Sequence, residues 1–182
     1  MIDLAIGFLL GELNRSLGSL FPLPEPRVVA AGLFDADVKS VEAIDNRIVL
    51  SLVRIERETA AQTPANGSAA AIPAALNLNL YVLLSSNFTG YELSLSLLSA
   101  AIGFLHSKPV FTAHNSAAFP AGLDRLNLEI VNLSVQDQQN LWAMMGRSYL
   151  PSVFYKVRMV SLADVWLRQK EPVITGTHSR QE

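Results

Sequence analysis

The side chains most able to do chemistry in this sequence are three histidines, His106, His114 and His178. An imidazole can serve as a base or hold a metal. None of the three has a second histidine or a carboxylate at a ligand spacing such as H-E-x-x-H. His106 falls at the predicted end of a helix, where positive charge is favoured. His114 falls in a loop with Asn115 and Ser116. A nucleophilic serine needs a tight, exposed turn of the G-x-S-x-G kind, and that pattern does not occur. Gly18-Ser19 and Gly67-Ser68 lack its strand-to-helix context. With no cysteine, the chain has no thiolate nucleophile, thiolate metal site or disulfide framework. Phosphate-cradling loops of the G-x-x-x-x-G-K-[ST] or G-x-G-x-x-G type are missing too. The carboxylate pairs Asp35/Asp37 and Glu56/Glu58 have i,i+2 spacing that a turn and a solvated strand end explain, and Asp124, Arg125 and Glu129 flank a strand. Tyr81, Tyr91, Trp142, Tyr149 and Tyr155 have core or interface spacing, and no basic stripe runs between them as nucleic-acid binding requires. The residues therefore predict a protein that is not an enzyme, takes no cofactor or metal, and binds no nucleic acid.

What must such residues be positioned by? The chain has 182 residues, of which 50% are hydrophobic and only 16% charged, with a formal net charge of -2. An average soluble domain carries about 25% charged residues. The length suits one domain with an ample core. The mean hydropathy is +0.29, so membrane insertion has to be considered. The apolar start from Ile2 to Leu10 stops at Gly11, Glu12 and Asn14, well short of the roughly 20 residues a spanning helix needs. It also lacks the basic start of a secretory signal. We expect no membrane span and no targeting segment, and read the apolar surplus as surface meant for partners. Charge is unevenly spread. Residues 1–146 carry 8 basic and 13 acidic side chains and residues 147–182 carry 6 and 3, giving -5 and +3.

The patterning predicts an α/β (α+β) domain over residues 1–162, with a mixed four- to five-stranded sheet, and a weakly patterned C-terminal tail over 163–182. Ile2, Ile6, Leu9, Leu13, Leu17 and Leu20 recur at helical spacing, up to a proline-rich connector at 22–26. Strands are expected at 27–33, 48–53, 76–84, 126–133 and 153–160, with turns at Asp35–Asp37 and Asp45-Asn46. The strand at 48–53 has apolar residues on both faces, which predicts a central place, with Arg54, Glu56, Arg57 and Glu58 carrying it out into water. Residues 59–75 are alanine-rich with Pro64, Gly67 and Pro73 as breakers, and read as a flexible loop. Thr89 and Glu92 have the spacing of a capping box that opens a helix running to Ser107, stopped by Lys108-Pro109. That helix carries two apolar stripes, one of Tyr91, Leu95, Leu98, Ile102 and Leu105 and one of Leu93, Leu97, Ala101 and Phe104. A helix apolar nearly all round is buried all round, either inside the domain or against another subunit. A short helix capped at Ser134 runs through Leu141, Trp142 and Met145 to a terminating Gly146. The predicted partner surface is Leu93, Leu97, Phe104, Trp142, Arg147, Tyr149, Arg168 and Lys170.

Three stretches taken together resemble a known family: LNLNLYVLLSSNFTGYELSLSLLSAAIGFLHSKPVF from Leu76, LNLEIVNLSVQDQQNLWAMM from Leu126, and YLPSVFYKVRMVSL from Tyr149. In this order they resemble the Pvc16-like proteins, the tail terminators or caps of extracellular contractile injection systems such as the antifeeding prophage. The resemblance implies a phage-tail-terminator-like fold and a six-fold ring that closes the inner tube and contacts the last sheath layer. Its partners would be further copies of itself, the tube protein and the sheath protein. It implies assembly in the bacterial cytoplasm and release with an extracellular particle, and brings no catalytic residues. Relatives often continue into a longer C-terminal region beyond the point matching Glu182. Two rival readings stay open: a baseplate or tube adaptor of the same machine, and a small-ligand-binding module or dispersed active site around His114 and Asn115.

Overall fold

The computed structural model describes residues 1–21, 27–32, 44–58 and 77–161. The expected proline connector, the Asp35–Asp37 turn, the loop at 59–75 and the tail at 163–182, with Arg168, Lys170 and His178, lie outside the described residues. Among the described residues the elements run α1 (Ile2–Leu20), β1 (Val28–Ala30), β2 (Arg47–Arg57), β3 (Asn77–Asn87), α2 (Tyr91–Ser107), β4 (Val110–Phe111), β5 (Leu123–Ile130), α3 (Val135–Met144) and β6 (Ser152–Ser161). The strands form one mixed sheet in the order β1-β2-β3-β6-β5-β4. Only β1 and β2 run parallel; every other pair is antiparallel. The sheet has six strands where four or five were expected, because the two-residue β4 sits in what reads as a loop. It is too short to give a periodic signal.

Strand alternation sorts the side chains onto two faces. On one face Ile48, Leu50, Leu80, Val82, Leu84, Leu126, Leu128, Tyr155, Val157 and Met159 meet the buried stripes of α1 and α2. On the other face Val49 and Leu83 meet Ile44 and, from α3 and its end, Trp142 and Met145. The architecture is thus two helices, a sheet and one short helix. In α1 the buried stripe is Ala5, Phe8, Leu9, Glu12, Leu13 and Leu17. It is rotated from the predicted one, leaving Leu20 60% exposed. Glu12 is buried because it pairs with Arg15 and with Lys108 Nζ at 3.3 Å. Lys108 also donates to the Asn115 carbonyl at 3.0 Å and lies over the Phe111 ring, which ties α1 to the end of α2 and the loop after β4.

Three other expectations change. β2 does not leave the sheet at Arg54. It continues to Arg57 after a bulge between Leu52 and Arg54. The extra residue resets the alternation, so Arg54 and Glu56 share a face with Tyr81 while Ile55 pairs with Leu80 on the other. The Thr89/Glu92 capping box does not form: Gly90 is the N-cap of α2, with no side-chain cap bond. Thr89 instead donates its backbone N–H and its hydroxyl to Asn46 Oδ1, at 3.3 and 3.5 Å. Asn46 lies in the Asp45-Asn46 turn with a positive φ of 51°, as short polar side chains tolerate. β5 starts and stops three residues before its predicted bounds, since its last link to β6 is the Val131 N–H to the Phe154 carbonyl at 2.8 Å.

Candidate functional site

The predicted surface residues divide between α2 and α3. α2 is held from below by a buried pair of serines: Ser94 Oγ donates to Ser86 Oγ at 2.9 Å, and Ser86 Oγ donates to the Ser94 carbonyl at 3.0 Å. Ser94 sits in the middle of the buried stripe with Leu97, Leu98, Ala101 and Leu105. That stripe runs between the two apolar ones read from the sequence, so the first turns of α2 project an apolar side chain to each side. Tyr91 is 67% exposed, Leu93 45% and Leu95 39%. Leu97 is fully buried in the core and belongs to folding rather than to a surface. Phe104 is half-buried, its ring 6.3 Å from Phe111.

α3 is built by local rules. Ser134 Oγ accepts from the Asp137 N–H at 3.1 Å, which satisfies one orphan donor at the helix start, and donates to the Asp137 carboxylate at 2.6 Å. Gly146 lies just past the C-cap at φ 63°, a conformation that glycine adopts without strain. Between these ends Trp142 is almost wholly buried, while Tyr149 stands 60% exposed with its ring edge-on to the indole, 5.8 Å between centroids. Arg147 is half-buried in the turn between them.

Beside α3 the ends of β5 and β6 part. Asn132, Leu133 and Gln138 on one side and Ser152, Val153 and Phe154 on the other enclose a cavity of about 210 Å³, with Trp142, Leu141 and Leu83 among its walls. Among the described residues no charged side chain lines it. The Trp142 indole N–H is buried and has no acceptor.

The chemistry-bearing residues are not brought together. His106 and His114 are exposed on separate elements. Asn115 is used in its own turn, accepting from the Thr112 N–H and the Ser116 hydroxyl and donating to the Val110 carbonyl. Glu56 accepts from Tyr81 Oη at 2.8 Å and from Arg54 at 3.0 Å, and Glu58 pairs with Arg158 at 2.7 Å. The Glu56 carboxylate holds the Tyr81 hydroxyl above its usual pKa. Among the described residues no three histidine or acidic side chains gather into a metal-binding group, and no helix is long and apolar enough to cross a membrane. The Trp142 cavity had no separate signal in the sequence beyond the apolar spacing of α3, because the parting of two strands depends on where their pairing ends.

The model of the Pvc16 N-terminal domain matches residues 8–176 of this sequence. The chain belongs to that family. Two solved structures are similar to it. One is the sheath/tube terminator of a PVC extracellular contractile injection system in the extended state, 15% identical, with a TM-score of 0.49, covering 95% of this chain and 63% of that one. The other is the anti-feeding prophage tube terminating cap, 16% identical, with a TM-score of 0.49, covering 93% and 59%. This Pvc16 N-terminal domain therefore spans about three-fifths of the length of those chains. No curated protein sequence matches it. In this Pvc16 N-terminal domain exposed apolar groups include Tyr91, Leu93 and Leu95 on α2, on one side of the sheet, and Val135, Met144 and Tyr149 on and after α3, on the other, besides others on α1 and the strands.

Proposed function

We propose that this protein is a structural cap of a contractile injection system. In this reading copies of the chain form a six-membered ring that ends the inner tube and the sheath at the end away from the baseplate, and so helps to fix particle length. The observation that carries the reading is membership of the Pvc16 N-terminal domain family across residues 8–176. The partners are further copies of the chain, the tube protein and the sheath protein; the chain is made in the bacterial cytoplasm and leaves with the particle. The domain extends over residues 1–162, with 59–75 as its loop and 163–182 as a tail. The contact residues are Leu93, Trp142, Arg147 and Tyr149, with Phe104 at the margin and Arg168 and Lys170 in the tail.

The mechanism is geometric. A ring matches the last layer of the tube on one face and offers the next tube subunit no complementary face on the other, so growth stops. Subunits in such a ring meet head to tail, which requires two different patches on each copy. Exposed apolar side chains on opposite sides of one sheet meet that requirement.

Removing the gene from a system that makes particles tests this reading. Tubes and sheaths of uncontrolled length are expected, seen by negative-stain imaging. Particles of normal, uniform length would overturn it.

A further inference from the structure

We propose that the Trp142 cavity is a socket for Tyr91 of the next copy of this chain, a proposal that rests on the ring reading above. The cavity sits between α3 and the parted ends of β5 and β6, has a volume of about 210 Å³, and among the described residues has no charged side chain in its wall. A dry cavity of about 150 Å³ lined by apolar side chains holds a benzene ring, so this one has room for a phenol. Its mixed apolar and polar walls suit a neutral aromatic group that also carries a hydroxyl. Trp142, Phe154 and Leu141 supply apolar and aromatic surface, and Asn132, Gln138 and Ser152 supply polar groups. Around the mouth, neither Asn132 nor the Gln138 side chain makes a hydrogen bond within the described residues.

Tyr91 is the matching knob. It is the most exposed aromatic side chain among the described residues, at 67%. Tyr149 comes next, but its ring already packs on the indole of its own chain. Val135 and Met144 are exposed too, yet both lie on α3, on the cavity's own side of the sheet. Tyr91 lies at the start of α2, which packs on the opposite face. A contact from one face of a copy to the other face of its neighbour is heterologous and repeats around a ring. The charge pattern fits as well: the Tyr91 side chain is neutral, and among the described residues no charged side chain lines the socket. Leu95, one turn on from Tyr91, would extend the contact across the mouth.

The chain has no cysteine, so engineered disulfides report contacts without background. Tyr91→Cys and Gln138→Cys would be made as separate proteins, mixed, oxidised, and compared with a mixture of Tyr91→Cys and Asp124→Cys, a position exposed on β5. The first mixture is expected to cross-link at least about tenfold faster than the second, because a docked pair has a high effective concentration. In parallel, Tyr91→Ala should raise the concentration at which light scattering records half-assembly by about thirtyfold, the loss usual for a buried aromatic anchor. Equal cross-linking in the two mixtures, or an unchanged Tyr91→Ala midpoint, with assembly still present, would overturn the socket and leave the ring reading standing. Monomers at every concentration, with tube protein added, would overturn the ring reading and the socket with it.

Discussion

Two polar side chains, the half-buried Asn14 and the buried Tyr155, make opposite predictions at the scale of the single residue. Asn14, on α1, lends its side-chain amide to the outer edge of β1: its Oδ1 accepts from the Arg27 and Val28 N–H groups at 2.9 Å, and its Nδ2 donates to the Val28 carbonyl at 2.8 Å. The amide stands in for a neighbouring strand and blocks an edge that could otherwise pair with another chain. Removing it leaves three backbone groups unsatisfied. Asn14→Ala should therefore lower stability by about 2 kcal/mol, read from the urea midpoint. Tyr155 is the reverse case. It is buried in the core with a hydroxyl that has no partner, and burial pushes its pKa up to about 12. The folded state then holds a proton that the unfolded chain releases near pH 10. The stability linked to this proton is intact below pH 10 and falls as pH rises through about 12. Tyr155→Phe should flatten that alkaline loss and keep or raise stability at neutral pH, since an unpaired buried hydroxyl is unfavourable.

At the scale of the element, α2 shows how far spacing alone could go. Its bounds, its stop at Lys108-Pro109 and its excess of apolar residues were all legible from the sequence. The buried stripe was not, because Ser94 reads as polar while its hydroxyl is satisfied by Ser86 across the helix–sheet contact. A serine with a buried partner counts as core. The same limit explains the capping box: Thr89 and Glu92 have the right spacing, but Asn46, far away in sequence, takes the threonine's donors. α3 was read correctly at both ends because its Ser134 cap and Gly146 are local features. β2 was cut short because a bulge breaks the period of two. From this follows a contrast between two leucines four residues apart. Leu97→Ala should cost about 3 kcal/mol, as a fully buried leucine does. Leu93→Ala, at an exposed position, should leave stability within about 0.5 kcal/mol yet weaken assembly. Thermal unfolding and light scattering on both variants separate the two roles.

On the scale of the whole molecule, two features of the chain could drive copies together, and they respond differently to salt. One is the split between an acidic body at -5 and a basic end at +3. The other is the apolar surface of Tyr91, Leu93 and Leu95 on α2 and the Trp142 cavity. Attraction between exposed opposite charges is screened within about 10 Å at 0.1 M salt and within about 3 Å at 1 M. Apolar burial is not screened, and kosmotropic salts strengthen it. The apolar groups are the stronger candidates, because the charges of the first group are spread over many elements and several already have partners: Glu12 with Arg15 and Lys108, Glu56 with Arg54, Glu58 with Arg158. The expected outcome is an assembly midpoint that changes less than about threefold between 0.05 and 0.5 M sodium chloride and moves to lower protein concentration in sodium sulfate. Light scattering across that series measures it. An assembly that dissolves as salt rises would instead place the main contact on the charged ends of the chain, and would move the search for the subunit interface from α2 and α3 to residues 147–182.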